Sequence, residues 1–245
     1  MKLSIIIPVY NEKDTVQEIV DKVIAVYLNK EIIIVDDASN DGTRGLIEKN
    51  YSGRNEIKVL FHETNQGKGS AIRTGIARAK GDIVIVQDAD LEYDPQDFVP
   101  IVKKFNEAQV NVVYGTRFHN ISRIDFIKKW IQNRFFGSHH EIKCFHLFFG
   151  IQVLNFLANL LYKANITDEA TCYKAFSRDV LKKITLQCKG FEFCPEVTAK
   201  VRKAGYKIYE VPISYHPRST QEGKKLSWRH GPEAIWTLIK YRFVD

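Results

Sequence analysis

The sequence predicts an α/β protein: a mostly parallel sheet with helices on both faces. Three observations predict it. Short β-branched runs alternate with amphipathic stretches of helical length, the pattern of β-α-β units joined by right-handed crossovers. The run Ile83 to Val86 is apolar without a break, as in a strand buried on both faces. Polar side chains able to bind ligands recur where such runs end, at the sheet edge where α/β proteins take their ligands.

Leu3 to Val9 reads as the first strand, with Asn11 as an N-cap and Asp14 three residues on. Val16, Ile19, Val20, Val23, Ile24 and Tyr27 then recur at helical spacing. Glu31 to Val35 is a second strand ending in Asp36-Asp37, and Asn40-Asp41-Gly42 is turn chemistry before a helix capped by Thr43. Ile57 to Phe61 is a third strand. The flexible loop Asn65-Gln66-Gly67-Lys68-Gly69 enters a helix running to Ala79, and Gly81 separates that helix from the central strand. Pro95 suits the first turn of a helix through Asn106. Val110 to Tyr114 forms another strand, leading to Gly115-Thr116-Arg117.

Beyond Arg117 the pattern changes. Residues of about 119–165 are first basic and aromatic, with Arg123, Lys128, Lys129, Trp130 and Arg134. The uncharged apolar stretch Leu147 to Tyr162 follows, with Gln152, Asn155 and Asn159 on one side. It is shorter than the ~20 apolar residues of a spanning helix. It reads as part of an amphipathic helix pair that packs on the domain, on a second copy or on a membrane surface. Its expected apolar face is Leu147, Phe148, Ile151, Leu154, Ala158 and Leu161, lying in the interface. The α/β pattern resumes with a strand Cys172 to Ser177, a helix around Pro195 to Ala204 and extended Lys207 to His216. From about residue 217 come a polar loop, Arg218 to Lys225, and a basic, aromatic segment, Trp228 to Phe243.

A chain of 245 residues suits one large domain. The net charge of +7 and a pI near 9.1 favour an anionic partner. Cys144, Cys172, Cys188 and Cys194 lack C-x-x-C spacing and read as reduced cytosolic thiols rather than a zinc site. The opening apolar run, cut by Pro8 and Asn11-Glu12, is not a signal peptide.

Asp88 and Asp90 leave the buried strand one residue apart. Such a pair is desolvated and self-repelling unless a positive charge sits between them. A hard divalent cation answers that need, since Mg²⁺ is commonly held by one or two carboxylates plus substrate phosphates. The alternative for either residue is a turn cap.

With these motifs in order, the chain resembles family 2 glycosyltransferases of the dolichol-phosphate mannosyltransferase type, including bacterial polyprenyl-phosphate relatives. The stretches that carry the resemblance are Ile5 to Glu12, Val35-Asp36-Asp37 with Asp41-Gly42-Thr43, Asn65 to Gly69, Asp88-Ala89-Asp90-Leu91, Gly115-Thr116-Arg117, Asp168 to Phe176 and Arg218 to Lys224. It covers most of the chain except about 119–150. The resemblance implies a single Rossmann-like GT-A domain over residues 1–245, the nucleotide-diphosphosugar transferase fold. It also implies an inverting transfer from a GDP-mannose or UDP-glucose type donor to a polyprenyl or dolichyl phosphate. It assigns Pro8, Tyr10, Glu12, Val35 and Asp37 to the nucleoside pocket, and Asp88, Ala89 and Asp90 to the donor diphosphate with Mg²⁺ or Mn²⁺. Arg117 would face the acceptor phosphate, and Arg218 and Lys224 would close over the diphosphate on a mobile loop. Asp90, Arg117, Arg218 and Lys224 are then the catalytic set. The third residue on the metal side is usually Gln in the mannosyl enzymes; here it is Glu92. The expected setting is the cytoplasmic face of a membrane, bound peripherally, with a homo-oligomer among the partners.

A phosphate acceptor is already ionised near neutral pH and requires no strong base. A family 2 enzyme with a soluble or polysaccharide hydroxyl acceptor would need one, with Asp168 or Glu169 as candidates, against N-capping or salt-bridge roles for the same residues. A nucleic-acid-binding protein fits the net charge, but a nucleic-acid site should be basic where this edge is acidic.

Overall fold

The computed structural model describes residues 1–107, 109–118, 142–218, 225 and 230–244, with side chains of the helix that starts at Ile142 described from Phe149 on. The expectations for 119–141, the basic stretch included, fall outside the described residues.

Among the described residues seven strands form one sheet: β1 Leu3–Val9, β2 Lys30–Asp36, β3 Ile57–Phe61, β4 Ile83–Val86, β5 Val112–Thr116, β6 Lys174–Ser177 and β7 Tyr209–Pro212. Their order is β3-β2-β1-β4-β6-β5-β7. β1 pairs in parallel with β2 and β4, β2 with β3, and β5 with β7. Only β6 runs against its neighbours β4 and β5. The helices are α1 Val16–Ala25, α2 Thr43–Tyr51, α3 Lys68–Ile76, α4 Phe98–Lys104, α5 Ile142–Tyr162, α6 Arg178–Lys183, α7 Phe193–Lys203 and α8 His230–Phe243.

Alternation along β2 puts a core on each face. Ile32 and Ile34 join Ile5 and Ile7 of β1 beneath Val16, Ile19, Val20 and Val23 of α1. Ile33 and Val35 point the other way, onto Ala71 of α3. Each fully buried Ile or Val contributes about 1.5–3 kcal/mol, and the spacing of α1 is the spacing that lets four of them reach the sheet.

Several expected boundaries shift for local reasons. Asn11 does not cap α1; it lies at φ +49° and its Oδ1 accepts from Asn40 N. Thr43 is the first residue of α2, not its cap, because its Oγ1 bonds Asp41 and receives Glu12 N. Pro95 opens a 3-10 turn, Pro95–Asp97, that Asp94 caps through Gln96 N; α4 follows. β5 runs two residues further than expected, so Gly115 and Thr116 are sheet residues.

The apolar stretch also needs correction. Ala158 of α5 is buried, and Leu154 and Leu161 pack against the core. The outward apolar side chains are instead Phe149, Phe156 and Leu160. The physical reason lies in Asn155 and Asn159, whose amides turn inward to bond the chain at 166–169 and so fix which way α5 faces.

Gly69 is where α3 meets the loop before α7. A Cβ there would lie 2.9 Å from Gly190 O and 3.0 Å from the Cys188 and Lys189 carbonyl carbons. Backbone cannot yield as a side-chain tip can. Gly69→Ala is therefore expected to cost roughly 1–3 kcal/mol. Gly45→Ala, with nothing within 4 Å of the added Cβ, should be stabilising by about 0.4–1 kcal/mol. Urea melts of the two variants check the contrast, and equal midpoints would refute it.

Candidate active site

Parallel registration brings four strand ends to one edge. Val9 lies opposite Asp36 and Ile6 opposite Val86, so β1, β2 and β4 deliver Tyr10 to Glu12, Asp36-Asp37 and Asp88 to Asp90 side by side. β5 exits into Arg117. The segment after β7 returns across this edge, with Tyr215 bridged to Tyr93.

The edge is rich in carboxylates, and each is answered by a donor. Lys68 Nζ lies 2.5 Å from Asp88 Oδ1. Arg218 Nη2 lies 2.8 Å from Asp90 Oδ2, and its Nη1 lies 3.1 Å from Glu12 Oε2. Lys225 Nζ reaches Glu12 Oε1 at 2.8 Å and also donates to the Tyr10 carbonyl. Burial works against the Lys68 ammonium, but Asp88 outweighs it and holds the group above its ordinary pKa. Burial, then the neighbouring Asp88 charge, push the Asp90 carboxyl up to about 7, with Arg218 opposing them.

Asp88 and Asp90 offer an oxygen-only donor set, which suits a hard divalent ion. Among the described residues no group of three His, Cys, Asp or Glu is placed to hold a metal. The pair therefore fits an ion that draws its remaining ligands from a diphosphate rather than from a closed protein cage.

Arg117 forms the other pole. Its Nε and Nη2 each lie 2.7 Å from an oxygen of Asp168, and its backbone N–H donates to Asp168 Oδ2 at 3.1 Å. Asp168 is fully buried. Its neighbour Glu169 is buried too, with Oε2 accepting from Thr198 Oγ1 at 2.9 Å. Burial pushes the Glu169 carboxyl up to about 7, partly offset by Lys174.

A sequence model for the glycosyl transferase family 2 domain matches residues 4–185. The chain belongs to glycosyl transferase family 2. Among curated relatives it is 28% identical over 232 residues to a dolichol-phosphate mannosyltransferase of Pyrococcus furiosus, covering 91% of this chain and 59% of that protein. It is 29% identical to a dolichyl-phosphate beta-glucosyltransferase of Dictyostelium discoideum, covering 87% of this chain and 66% of that one. A dodecaprenyl-phosphate galacturonate synthase of Rhizobium johnstonii is 24% identical, with 89% and 60% covered. The chain thus spans about three fifths to two thirds of the length of these relatives. Among solved structures, glucosyl-3-phosphoglycerate synthase from Mycobacterium tuberculosis, in complex with Mn²⁺, UDP and phosphoglyceric acid, superposes with a TM-score of 0.69 at 18% identity. The match covers all of this chain and 79% of that one. At that identity the likeness concerns the fold, which is GT-A, as the sequence motifs implied.

The residues singled out in sequence are not all placed for the same task. Pro8 and Val35 face each other across β1 and β2 and are buried or nearly so, while Tyr10 stays 37% exposed and open to stacking. Asp37, expected to meet a base N–H, has its carboxylate taken by Gln66 N, Gly67 N and His62 Nδ1. It holds the glycine loop that starts α3. Ala89 is buried and gives its carbonyl to Thr15 Oγ1. Glu92, expected on the metal side, lies next to Asp90, to whose Oδ1 its N–H donates at 3.0 Å, and its carboxylate binds the segment after β7: Oε1 accepts from Arg218 N at 2.8 Å and Oε2 from Tyr215 Oη at 3.1 Å. A glutamate there grips a backbone amide that an amide side chain would bind more weakly. Lys224 lies outside the described residues. Two cations at the site were not singled out, Lys68 and Lys225. The lysine between Gly67 and Gly69, at the head of a helix aimed at the carboxylates, is the signal that could have found the first.

Glu169 generates a pH dependence. Its folded pKa is raised, so its contribution to stability is full below the ordinary value of 4.5 and is lost as pH rises through about 7. Glu169→Gln, which stays neutral, should flatten the decline of Tm between about pH 5 and pH 8 relative to wild type. Parallel Tm curves across that range would remove Glu169 as the cause.

Proposed function

We propose that this domain transfers a sugar, with inversion, from a nucleoside diphosphate sugar to the phosphate of a polyprenyl lipid. The observation that carries the choice of acceptor is the Arg117–Asp168 pair. A hydroxyl acceptor needs a base within hydrogen-bond reach. Asp168 has both oxygens bound to Arg117, and Glu169 is shut in the interior. Neither candidate base is exposed to an incoming hydroxyl. A phosphate needs none, and Arg117 can meet it with guanidinium N–H groups that Asp168 does not use. The names of the curated relatives, all polyprenyl-phosphate sugar transferases, support the same acceptor class.

The donor lies, in this reading, across the ends of β1, β2 and β4. Tyr10 stacks on the base, between Pro8 and Val35 on one side and the Glu12–Lys225 pair on the other. An acceptor phosphate oxygen attacks C1 of the sugar from the face opposite the diphosphate, which leaves. Mg²⁺ or Mn²⁺ held by Asp88 and Asp90 would neutralise charge on that leaving group. Lys68, Arg218 and Lys225 add fixed positive charge at the same place. Arg218 and Lys225 are held by Glu12 and Asp90 through side-chain pairs that an incoming diphosphate can replace.

A lipid acceptor also calls for a lipid-facing surface. α5 and α8 pack together, Tyr162 Oη donating to the Leu238 carbonyl at 2.6 Å. The pair exposes Phe149, Phe156 and Leu160 on one helix and Trp236, Ile239 and Phe243 on the other. Lys240 and Arg242 fill the last turn of α8. Tryptophan with flanking basic residues suits an interfacial helix. No described helix is long and apolar enough to cross a membrane; it is the exposed apolar side chains beside these basic residues that support peripheral attachment.

Two measurements test the reading. Wild type with polyprenyl phosphate, a panel of nucleotide sugars and Mg²⁺ or Mn²⁺ should form the lipid-linked sugar. Asp90→Asn should weaken metal-dependent nucleotide binding by about tenfold or more in calorimetry, with little change in melting, because an amide is a poorer ligand than a carboxylate. Unchanged metal-dependent affinity would end the assignment of Asp90. In flotation, wild type should rise with anionic vesicles, less so at high salt. The double variant Phe156→Glu, Trp236→Glu should stay at the bottom; a double variant that floats as wild type does would clear these helices of the role.

A further inference from the structure

Asp168 fixes Arg117, so whatever fixes Asp168 sets the acceptor side of the site. Asp168 lies in the stretch 163–173, which has no helix or strand of its own. Such a buried stretch must find its backbone partners elsewhere. Asn155 of α5 supplies two of them. Its Nδ2 donates to Thr167 O at 2.5 Å and its Oδ1 accepts from Glu169 N at 2.7 Å. These two groups belong to the peptide planes on either side of Asp168. One side-chain amide therefore fixes both planes and, with them, the direction in which the Asp168 side chain leaves the backbone. Asn155 is 5% exposed and sits on a rigid helix, so it cannot follow the loop if the loop drifts. From the other side Glu210 accepts the Thr167 and Asp168 amides.

We propose that Asn155 is a positioning residue for acceptor binding: it grips the peptide groups flanking Asp168, and Asp168 in turn aims Arg117 at the acceptor phosphate. The inference rests on the acceptor reading of Arg117 given above. Its chemistry is specific. Only a side chain with one donor and one acceptor on a short stem satisfies both peptide groups at once. Alanine leaves both unpaired, and aspartate turns an oxygen toward the Thr167 carbonyl oxygen. Asn159, one turn along, makes the same kind of paired contact with Ile166 alone, at 2.8 Å and 2.9 Å, and does not flank Asp168. It is the natural control.

The experiment is steady-state transfer to polyprenyl phosphate by wild type, Asn155→Ala, Asn155→Asp and Asn159→Ala, with nucleotide affinity measured by calorimetry on the same preparations. Misplacing a binding group by an ångström costs one to two orders of magnitude. Asn155→Ala and Asn155→Asp should raise the acceptor KM by about tenfold or more while nucleotide affinity stays within about twofold of wild type. Asn159→Ala should lose comparable thermal stability and keep the wild-type acceptor KM. If Asn155→Ala does not fold, the near-isosteric Asn155→Asp gives the same readout. An acceptor KM in the Asn155 variants no higher than in Asn159→Ala overturns the inference. So does a fall in nucleotide affinity matching the rise in acceptor KM, which would mark general loosening. A wild type that charges no polyprenyl phosphate sinks the acceptor reading and this inference together; a wild type that does, beside unchanged Asn155 variants, sinks this inference alone.

Discussion

Negative charge gathered at one edge of a buried sheet is the constraint around which the rest is arranged. Parallel pairing of β1, β2 and β4 makes the gathering unavoidable, because it carries Glu12, Asp37, Asp88 and Asp90 to the same level. Carboxylates so placed lose water and repel one another. The protein answers with cations from distant parts of the chain: Lys68 from the head of α3, Arg218 and Lys225 from beyond β7. Those ion pairs add to the β4–β6 pairing in joining the C-terminal third to the N-terminal half, and they hold the segment after β7, whose strand pairs with β5. The same pairs leave the site with positive groups already in place for an anionic ligand.

The two poles of the site are built differently. The carboxylate pole rests on strand ends, whose positions follow from sheet register. The Arg117 pole rests on a loop held by side chains: Asp168 on Arg117, Asn155 and Glu210 on the peptide groups around it, and buried Lys174 on the Glu169 and Thr171 carbonyls. A lysine with no exposed surface is costly unless its ammonium is well bonded. Here its two carbonyl partners and the face of the Tyr114 ring, 4.2 Å from Nζ, provide that environment. The buried polar cluster thus turns an irregular segment into a fixed one.

What could be read from sequence tracks this division. Strands β1 to β4 were legible because their β-branched runs are local signals, and the ligands at their ends followed from the runs. The direction of β6 was not, since nothing in Lys174–Ser177 distinguishes a parallel from an antiparallel neighbour. The orientation of α5 was misread for an instructive reason. Leu154, Ala158 and Leu161 form as good an apolar stripe as Phe149, Phe156 and Leu160, and hydrophobic spacing alone cannot say which stripe faces protein. The asparagines decide it, through hydrogen bonds to a loop far enough along the chain that only the folded structure shows them. Lys225 was passed over in favour of Lys224, because two adjacent lysines in a polar stretch give no local hint that Lys225 reaches Glu12. Glu92 carried a legible departure from the family pattern, but its meaning, a grip on Arg218 and Tyr215, depends on a segment more than a hundred residues away.

The reversal of β6 has one further consequence. Tyr114 of β5 pairs directly with Lys174 of β6, so the chain leaves the sheet after Thr116 and re-enters it on the adjacent strand. Everything between those points, α5 and the Asp168 loop included, is an excursion whose two ends are already held together by the ladder. Its length and content are thereby uncoupled from the register of β1, β2 and β4. The loop that holds Asp168 can therefore be altered, by insertion or wholesale exchange of chain within the excursion, without shifting the carboxylates at the ends of β1, β2 and β4.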